Sequence, residues 1–227
     1  MSTDAQPVTD AARLAGGAEA DPKADRRPTG DRLAEQAVLA LARQCRYERD
    51  HAHQVERLAL ELFDALVPLH GLGPEDRRCL RWAAILHDIG VAEGPAGHHR
   101  RAFRLILHAR DLPLPDRERV LVALVARYHR KALPKRTHPH FASLGSRERR
   151  RVRTLAAILR VADGLDRTHR SAVRGTRCEI GPAVVRLRCK GEASQAEERL
   201  AASAKADLFE RVFRRTLIIE TPDDVIH

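Results

Sequence analysis

The segment LRWAAILHDIG, residues 80–90, decides the expected fold. Its apolar residues recur at helical spacing, and the run stops at Gly90, a residue type that commonly terminates helices. An adjacent histidine and aspartate, His87 and Asp88, lie at its end. At the end of a helix, both side chains have room to converge on one ion. The dipeptide alone has little specificity, so its meaning depends on the segments around it.

Helical periodicity continues on both sides of this segment. It predicts six helices, at residues 32–47, 50–69, 74–90, 98–110, 116–129 and 147–165. Further on, residues 176–189 alternate around Gly181 and Pro182, which predicts a β-hairpin. A helix at 195–214 and a short strand at 216–220 complete the pattern. We therefore predict a mainly α protein, a helical bundle with a small C-terminal α+β appendage.

Composition divides the chain into three predicted parts. Residues 1–30 contain almost no large apolar side chains, so they are predicted to be a disordered tail. Residues 31–172 form the predicted helical domain. Residues 173–227 form the predicted α+β element, packed on that domain. Apolar positions of the last helix, such as Leu208 and Phe213, are expected either to pack on the bundle or to form a homodimer contact.

Charge points to an anionic partner. The net charge is +10, from 41 Lys and Arg against 31 Asp and Glu. Between residues 100 and 188, 23 basic residues stand against seven acidic ones. Such a bias favours a polyphosphate, a nucleotide or nucleic acid as partner. An arginine-rich but merely solvated surface gives the same composition, so charge alone leaves both interpretations open.

The sequence also predicts a cytoplasmic protein without a membrane anchor. It contains no signal-like segment and no apolar run long enough to span a membrane. The four cysteines lack the spacing of a zinc ribbon and are expected to be reduced thiols, with a Cys178–Cys189 disulfide disfavoured.

Four helices each place a histidine or aspartate on the face that should be apolar. A single inward histidine is usually a hydrogen-bonded core residue, but four such positions that include a carboxylate are harder to explain that way. A buried carboxylate is costly unless a cation pairs with it. Nitrogen and carboxylate ligands together suit Mn, Fe, Co, Zn or Mg, as one or two divalent ions. The four residues are His51, His87, His129 and Asp163.

This set, with Asp88, resembles the HD superfamily of metal-dependent phosphohydrolases. The similarity is closer to the C-terminal HD domain of the exopolyphosphatase and guanosine-pentaphosphate phosphatase (Ppx/GppA) family, over roughly residues 31–220. Five segments occur in the family's order with similar gaps: HAHQVERLALELFDAL, LRWAAILHDIG, HHRRAFRLIL, LVARYHRKALP and LAAILRVADGLDRTH.

The resemblance implies specific roles. It implies that one metal ion is held by His51, His87, Asp88 and Asp163. A second ion would be held by His129 with either His98 or His99, between which the sequence does not decide. Asp88 would bridge the two ions, and His87 and Asp88 would form the catalytic pair.

Basic residues beside these ligands are candidates for binding substrate phosphates, because arginine contacts phosphate through two parallel hydrogen bonds and lysine supplies a point charge. A solvated surface position is the alternative for each. Similarly, Asp166 is expected either to orient a ligand or to pair with Arg170. The phosphate-binding candidates are Arg127, Arg130, Lys131, Arg160 and Arg167.

The sequence departs from the family in one respect: no actin-like domain with glycine-rich phosphate loops precedes the predicted bundle. Polyphosphate hydrolysis by that domain is therefore not implied. The leading hypothesis is a metal-dependent phosphohydrolase that acts on a nucleotide, a guanosine polyphosphate or a short polyphosphate. The alternative is a non-catalytic module that binds polyphosphate or a nucleotide. Nucleic-acid binding is disfavoured, because the sequence contains no recognition-helix motif and few aromatic residues that could stack on bases.

Overall fold

The structure is a computed structural model that describes residue 1 and residues 29–191 and 194–222. The predicted disordered tail falls almost entirely outside these residues. No helix in the described ranges is both long and apolar enough to cross a membrane. The four cysteines, at positions 45, 79, 178 and 189, form no disulfide bond.

From residue 29 to residue 164, the secondary structure of the described chain consists of helices joined by loops. They are α1 (Thr29–Gln44), α2 (Arg49–Ala65), α3 (Val67–His70), α4 (Pro74–Leu86), α5 (His98–His108), α6 (Asp116–Arg127), α7 (Pro139–Ala142) and α8 (Ser146–Gly164), with a single 3-10 turn at Val91–Glu93. The chain continues with β1 (Val173–Ile180), β2 (Val184–Gly191), α9 (Ala196–Ala204), α10 (Asp207–Phe213) and β3 (Thr216–Glu220).

Helix α8 forms the centre of the bundle. Twelve of its residues are buried, including an unbroken run from Thr154 to Gly164. Helices α2, α4 and α6 pack around it. The core is built mainly from Leu, Ala, Val and Ile. Because α8 is buried along its second half, any polar side chain there must find a partner inside the protein.

A three-stranded sheet follows the bundle. Strand β2 pairs antiparallel with β1 and parallel with β3. Val185 and Leu187 of β2 are buried and lie opposite Leu217 and Ile219 of β3. Helices α9 and α10 contact α8, and β1 contacts α2. The predicted fold class, mainly α with a small α+β appendage, is confirmed. The division into domains at residue 172 stays a prediction.

Two predicted helices are interrupted. The helix expected at 50–69 ends at Ala65, because the ring of Pro68 clashes with the carbonyl of the residue four positions earlier in a continuing helix. The helix expected at 195–214 breaks between α9 and α10. There, Arg160 donates hydrogen bonds to the carbonyl of Lys205 (3.4 Å) and to the carboxylate of Asp207 (2.9 Å).

One short helix is unexpected. Helix α7 lies between the helices predicted at 116–129 and 147–165, where the sequence analysis predicts no helix. Pro139 occupies its first turn, where a missing backbone N–H costs nothing. Four residues give too little periodicity to reveal such a helix in the sequence.

Candidate metal centre

Two triads of histidine and aspartate side chains have the spacing of metal ligands. In each triad, one candidate ligand atom per residue lies within 4.8 Å of the others. The first triad consists of His51, His87 and Asp163, and the second triad consists of Asp88, His98 and His129.

His87 joins the two triads. Its Nε2 atom lies 3.7 Å from Asp163 Oδ1 in the first triad and 3.7 Å from Asp88 Oδ1 in the second. In the first triad, His51 Nε2 lies 3.6 Å from Asp163 Oδ1. These separations exceed hydrogen-bond length, and they leave space for an ion between the atoms.

The second triad is tighter. Asp88 Oδ1 lies 3.0 Å from His98 Nε2 and 3.4 Å from His129 Nε2, and the two nitrogens are 3.3 Å apart. The second triad therefore surrounds one carboxylate oxygen with two ring nitrogens. Asp88 is the most exposed member, with 22% of its side chain accessible, so the second triad faces the solvent side.

The other nitrogen of each ring is already engaged. The Nδ1–H groups of His87, His98 and His129 donate to the backbone carbonyl three residues earlier, at distances of 2.6, 2.9 and 2.7 Å. His51 Nδ1–H donates to Asp166 Oδ2 at 2.8 Å. In the neutral form of each ring, this arrangement makes Nδ1 the donor and directs the Nε2 lone pair into the centre. Metal-ligating histidines in proteins are oriented in the same way.

Three atoms of the centre are buried without a hydrogen-bond partner among the described residues. They are His51 Nε2, His87 Nε2 and Asp88 Oδ1. Buried polar atoms are seldom left unpaired, because desolvation without a compensating bond costs about 1–3 kcal/mol. Two carboxylates with imidazole nitrogens form a donor set that suits a divalent transition metal or magnesium. The residues present therefore fit a bound cation.

The electrostatics keep both carboxylates ionised. Burial alone would raise the pKa of Asp88, but His87, His98 and His129 outweigh it and hold the pKa below its usual range. Burial alone would also raise the pKa of Asp163. Lys205 and His51 outweigh burial and hold this pKa well below its usual range.

The histidines respond to the same field in opposite directions. Burial lowers the pKa of His129 to about 3, which keeps the ring neutral and able to ligate. For His51, Asp163 and Asp166 overcome the effect of burial and raise the pKa to about 9. Asp163 and Asp166 thus attract positive charge to the first triad, in the form of a proton or of a metal cation.

A glycine allows the second triad to assemble. Gly90 follows the His87–Asp88 pair, and a Cβ atom at this position would lie 2.4 Å from the carbonyl oxygen of His98 and 2.9 Å from the amide nitrogen of Ala102. Only glycine lets the start of α5 come this close to the end of α4. The close approach brings His98 within reach of Asp88.

The structure distinguishes His98 from His99. His98 is 3% exposed and belongs to the second triad. Of the two alternatives that the sequence leaves open, His99 lies outside both triads and lines a neighbouring cavity. Burial and the surrounding arginines lower its pKa to about 4. One residue along a helix turns the side chain by roughly 100°, which is sufficient to separate the two roles.

Four predicted phosphate-binding residues lie around the centre. Arg130 and Arg167 line a cavity of about 270 Å³ together with Asp88, His129 and Asp163. Arg127, Arg130 and Lys131 line an adjoining cavity of about 770 Å³. Arg130 belongs to both cavities, so they form neighbouring parts of one basic surface.

Arg160 requires a correction. It is 4% exposed, and its guanidinium donates to the carbonyl of Tyr128 (3.2 Å) and pairs with Asp207 (2.9 Å). These contacts connect α8 to α6 and α10, and they leave Arg160 outside the lining of the two cavities. Helical spacing can predict that a residue faces inward, but it does not show which neighbouring residue a long side chain contacts.

Three further residues complete the centre. Lys205 Nζ donates to Asp163 Oδ2 and lines the 270 Å³ cavity. Asp166 bonds to His51, so the structure favours its role as an orienting residue over a pair with Arg170. His169 stacks on His51 with ring centroids 3.8 Å apart and bonds to Glu48 (2.8 Å). The spacing of Asp166 from Asp163 gave a signal for its role, but Lys205 and His169 had none.

The chain matches a known protein family. Residues 33–201 match the family model described as Ppx/GppA phosphatase, domain III. The match covers well over half of the chain and includes every member of both triads. It ends before Lys205, the residue that contacts Asp163.

Proposed function

The chain belongs to the family of domain III of the Ppx/GppA phosphatases, and on this premise we propose that it is a metal-dependent phosphohydrolase of the HD type. Its proposed substrate is a highly charged phosphate compound: a nucleotide, a guanosine polyphosphate or a short polyphosphate. The observation that carries the proposal is the group of three buried, unpaired atoms on His51, His87 and Asp88. One or two divalent cations would satisfy them.

Each triad would hold one ion. Asp88 would bridge the two sites, since its Oδ1 atom lies 3.7 Å from His87 Nε2 and 3.0 Å from His98 Nε2. The Nδ1–H bonds already fix the rings in the orientation that ligation requires. Little rearrangement would then be needed on loading, which favours binding.

A divalent ion in this position would supply Lewis acidity, lowering the pKa of a water molecule and offsetting charge on phosphate oxygens. The protein's own contribution is to hold the phosphate in place. Arg130, Arg167 and Lys205 line the 270 Å³ cavity beside both carboxylates, and their charges would position the phosphate under attack.

The remainder of the substrate would lie in the larger cavity. It is lined by Arg100, Arg127, Arg130 and Lys131, and no carboxylate is among its described lining residues. A volume of about 770 Å³ is within the range of small-molecule sites. Since Arg130 lines both cavities, a ligand with several phosphates would extend from the centre into the second cavity.

The second candidate function is a binding module without turnover. The basic lining of the larger cavity favours it, since anion binding there needs no metal. In that case the protein would bind a nucleotide or polyphosphate but would not hydrolyse it.

Metal content and hydrolysis together separate the two functions. We expect the purified full chain to hold one or two divalent ions and to hydrolyse a member of a panel that contains nucleotides, guanosine polyphosphates and short polyphosphates. Replacing His87 by Ala or Asp88 by Asn should remove metal and lower the hydrolysis rate by about a thousandfold or more, on the scale of other lost catalytic groups.

His53→Ala is the matched control. His53 lies on α2 like His51, but it bonds to Tyr47 (3.2 Å) and Glu56 (2.8 Å) outside the centre. The control should keep both metal and activity. A metal-free protein that binds polyphosphate with a steep salt dependence and hydrolyses nothing would establish the binding module instead.

A further inference from the structure

A further basic cavity, of about 430 Å³, lies between α8 and α10, apart from the two cavities at the metal centre. It is lined by Arg150, Arg153 and Thr154 near the start of α8, whereas Asp163 of the metal centre lies near its end. Nine residues separate Thr154 from Asp163, about 14 Å along a helix axis. The cavity shares no described lining residue with either cavity at the centre.

Four arginines surround this cavity. Arg150 and Arg153 extend from α8, and Arg211 and Arg214 extend from α10 and its C-terminal end. Arg150 and Arg153 are three residues apart on α8, so their side chains lie on the same face of that helix. Arg211 lies in α10, and Arg214 follows its end in a left-handed conformation. No aspartate or glutamate is among the described residues that line the cavity.

These arginines differ from their neighbours in lacking counterions. On the same helix, Arg151 pairs with Asp76 and Arg160 pairs with Asp207. Within the described ranges, by contrast, no ion pair involves any of the four arginines of the cavity. Arg150 donates to the carbonyl of His70 at 3.3 Å, and Arg153 lies over the ring of Phe141 at 5.0 Å. Like charges held around one space repel, and a bound anion would offset that repulsion.

The rest of the lining is apolar. Leu133, Leu208 and Val212 form part of the cavity surface, together with Pro134. A purely inorganic phosphate chain would gain nothing from these side chains. A ligand with an apolar ring or chain would bury them and direct its anionic groups to the guanidinium groups.

We propose that the cavity between α8 and α10 is a binding site for a phosphorylated organic molecule of nucleotide size, separate from the metal centre. Its phosphates contact the four arginines, and its apolar part contacts Leu133, Leu208 and Val212. The volume is sufficient for such a ligand. Because α8 also carries Asp163, a ligand at this site rests against the helix that supplies the centre.

The test is a calorimetric titration of the full chain with ATP and GTP at physiological salt concentration. The first variant is Arg211→Gln combined with Arg214→Gln, because neither side chain has a hydrogen-bond or ion-pair partner among the described residues. We expect nucleotide affinity at one site to fall about tenfold or more, as charge-assisted contacts are lost. Arg150→Gln with Arg153→Gln should weaken the same site, because both helices contribute.

Arg104→Gln with Arg110→Gln is the matched control. These two arginines are exposed and line none of the cavities described above, and their replacement removes the same charge. An equal loss of affinity in the control would show a diffuse charge effect and overturn the proposal, as would unchanged binding in both cavity variants. Equal affinity for inorganic tripolyphosphate, or tighter binding of a DNA duplex, would overturn the ligand class.

The outcome of the nucleotide titration does not depend on the proposed hydrolase function. At low nucleotide concentration, metal content and hydrolysis should be unchanged in the Arg211→Gln, Arg214→Gln variant. The reason is that the 430 Å³ cavity shares no described lining residue with the cavity at the metal centre. Thermal unfolding should also be unchanged, or shifted slightly upward, since repulsion is relieved. Absence of metal would disprove the hydrolase but leave the nucleotide titration informative.

Discussion

At the scale of single residues, the direction of each hydrogen bond decides how a histidine behaves. The triad histidines donate from Nδ1 and direct Nε2 into the metal centre, whereas His70 uses both nitrogens in bonds to the backbone. His70 Nε2–H donates to the carbonyl of Phe63 at 3.0 Å, and its Nδ1 accepts from the amide of Leu72 at 2.9 Å. Only the neutral ring can make both bonds, so His70 is a structural histidine.

His70 should make stability depend on pH. Burial lowers its pKa from the ordinary value of 6.5, so the unfolded chain binds the proton more readily than the folded protein. Its contribution is therefore complete above pH 6.5 and is lost as the pH falls. We expect His70→Gln to unfold about 1–3 kcal/mol more easily at pH 7.5. Below pH 6.5, the free energies of unfolding of His70→Gln and of the unmodified protein should become more similar.

Urea denaturation at several pH values measures this difference. His108→Gln, at an exposed histidine of α5, provides the control and should follow the unmodified protein throughout. A constant difference between His70→Gln and the unmodified protein from pH 7.5 to 5 would contradict the assignment.

At the scale of elements, close packing of helix ends assembles the centre. Helix α4 ends at Leu86, and α5 must approach its end closely enough for His98 to meet Asp88. Gly90 permits this approach, because its backbone touches the first turn of α5. The sequence predicts Gly90 to be the helix terminator, but α4 ends four residues earlier, at Leu86, and Gly90 instead sets the spacing between two helices.

Gly90→Ala should disrupt the second triad selectively. The added Cβ meets backbone atoms, which cannot rotate away, so α5 must move. We expect a loss of about 1–3 kcal/mol in the free energy of unfolding, typical of overpacking. If two ions are bound, the ion at the second triad should be lost and the ion at the first triad retained. Metal analysis and chemical denaturation measure both effects.

Gly73→Ala is the control at the other end of α4. No atom lies within 4 Å of the position that its Cβ would occupy. This variant should keep its metal and lose less than about 1 kcal/mol in the free energy of unfolding, because alanine is a weaker N-cap than glycine. Full metal retention in Gly90→Ala would show that the close contact does not position His98.

At the scale of the whole molecule, the centre connects segments far apart in the chain. The first triad joins α2, the end of α4 and α8, and Lys205 adds the junction between α9 and α10. An ion that binds only the folded arrangement must stabilise the whole fold.

We expect manganese or zinc to raise the unfolding temperature. At a free metal concentration one hundred times Kd, binding contributes about 2.7 kcal/mol, or roughly 5–10 °C for a chain of this size. Scanning calorimetry of chelated and metal-loaded protein measures the shift. The His87→Ala variant should show little or no shift. An equal shift in that variant would place the responsive metal elsewhere.

Local patterns determined much of this protein. Alternating apolar positions predicted the hairpin. Spacings of three and four residues predicted the helices and the inward positions of His51, His87, His129 and Asp163. These features depend on neighbours along one helix or strand, so the sequence contains them directly. The resemblance of five ordered segments added the family, which the match over residues 33–201 supports.

Tertiary structure alone decided the contacts between distant segments. It placed His98 and not His99 beside Asp88, turned Arg160 toward Asp207, and brought Lys205 to Asp163. The partners in each contact are separated by ten or more residues, and periodicity within one element carries no information about which side chains meet across such a distance. Helical spacing fixes the face on which a residue lies, whereas packing of the helices fixes what that face meets.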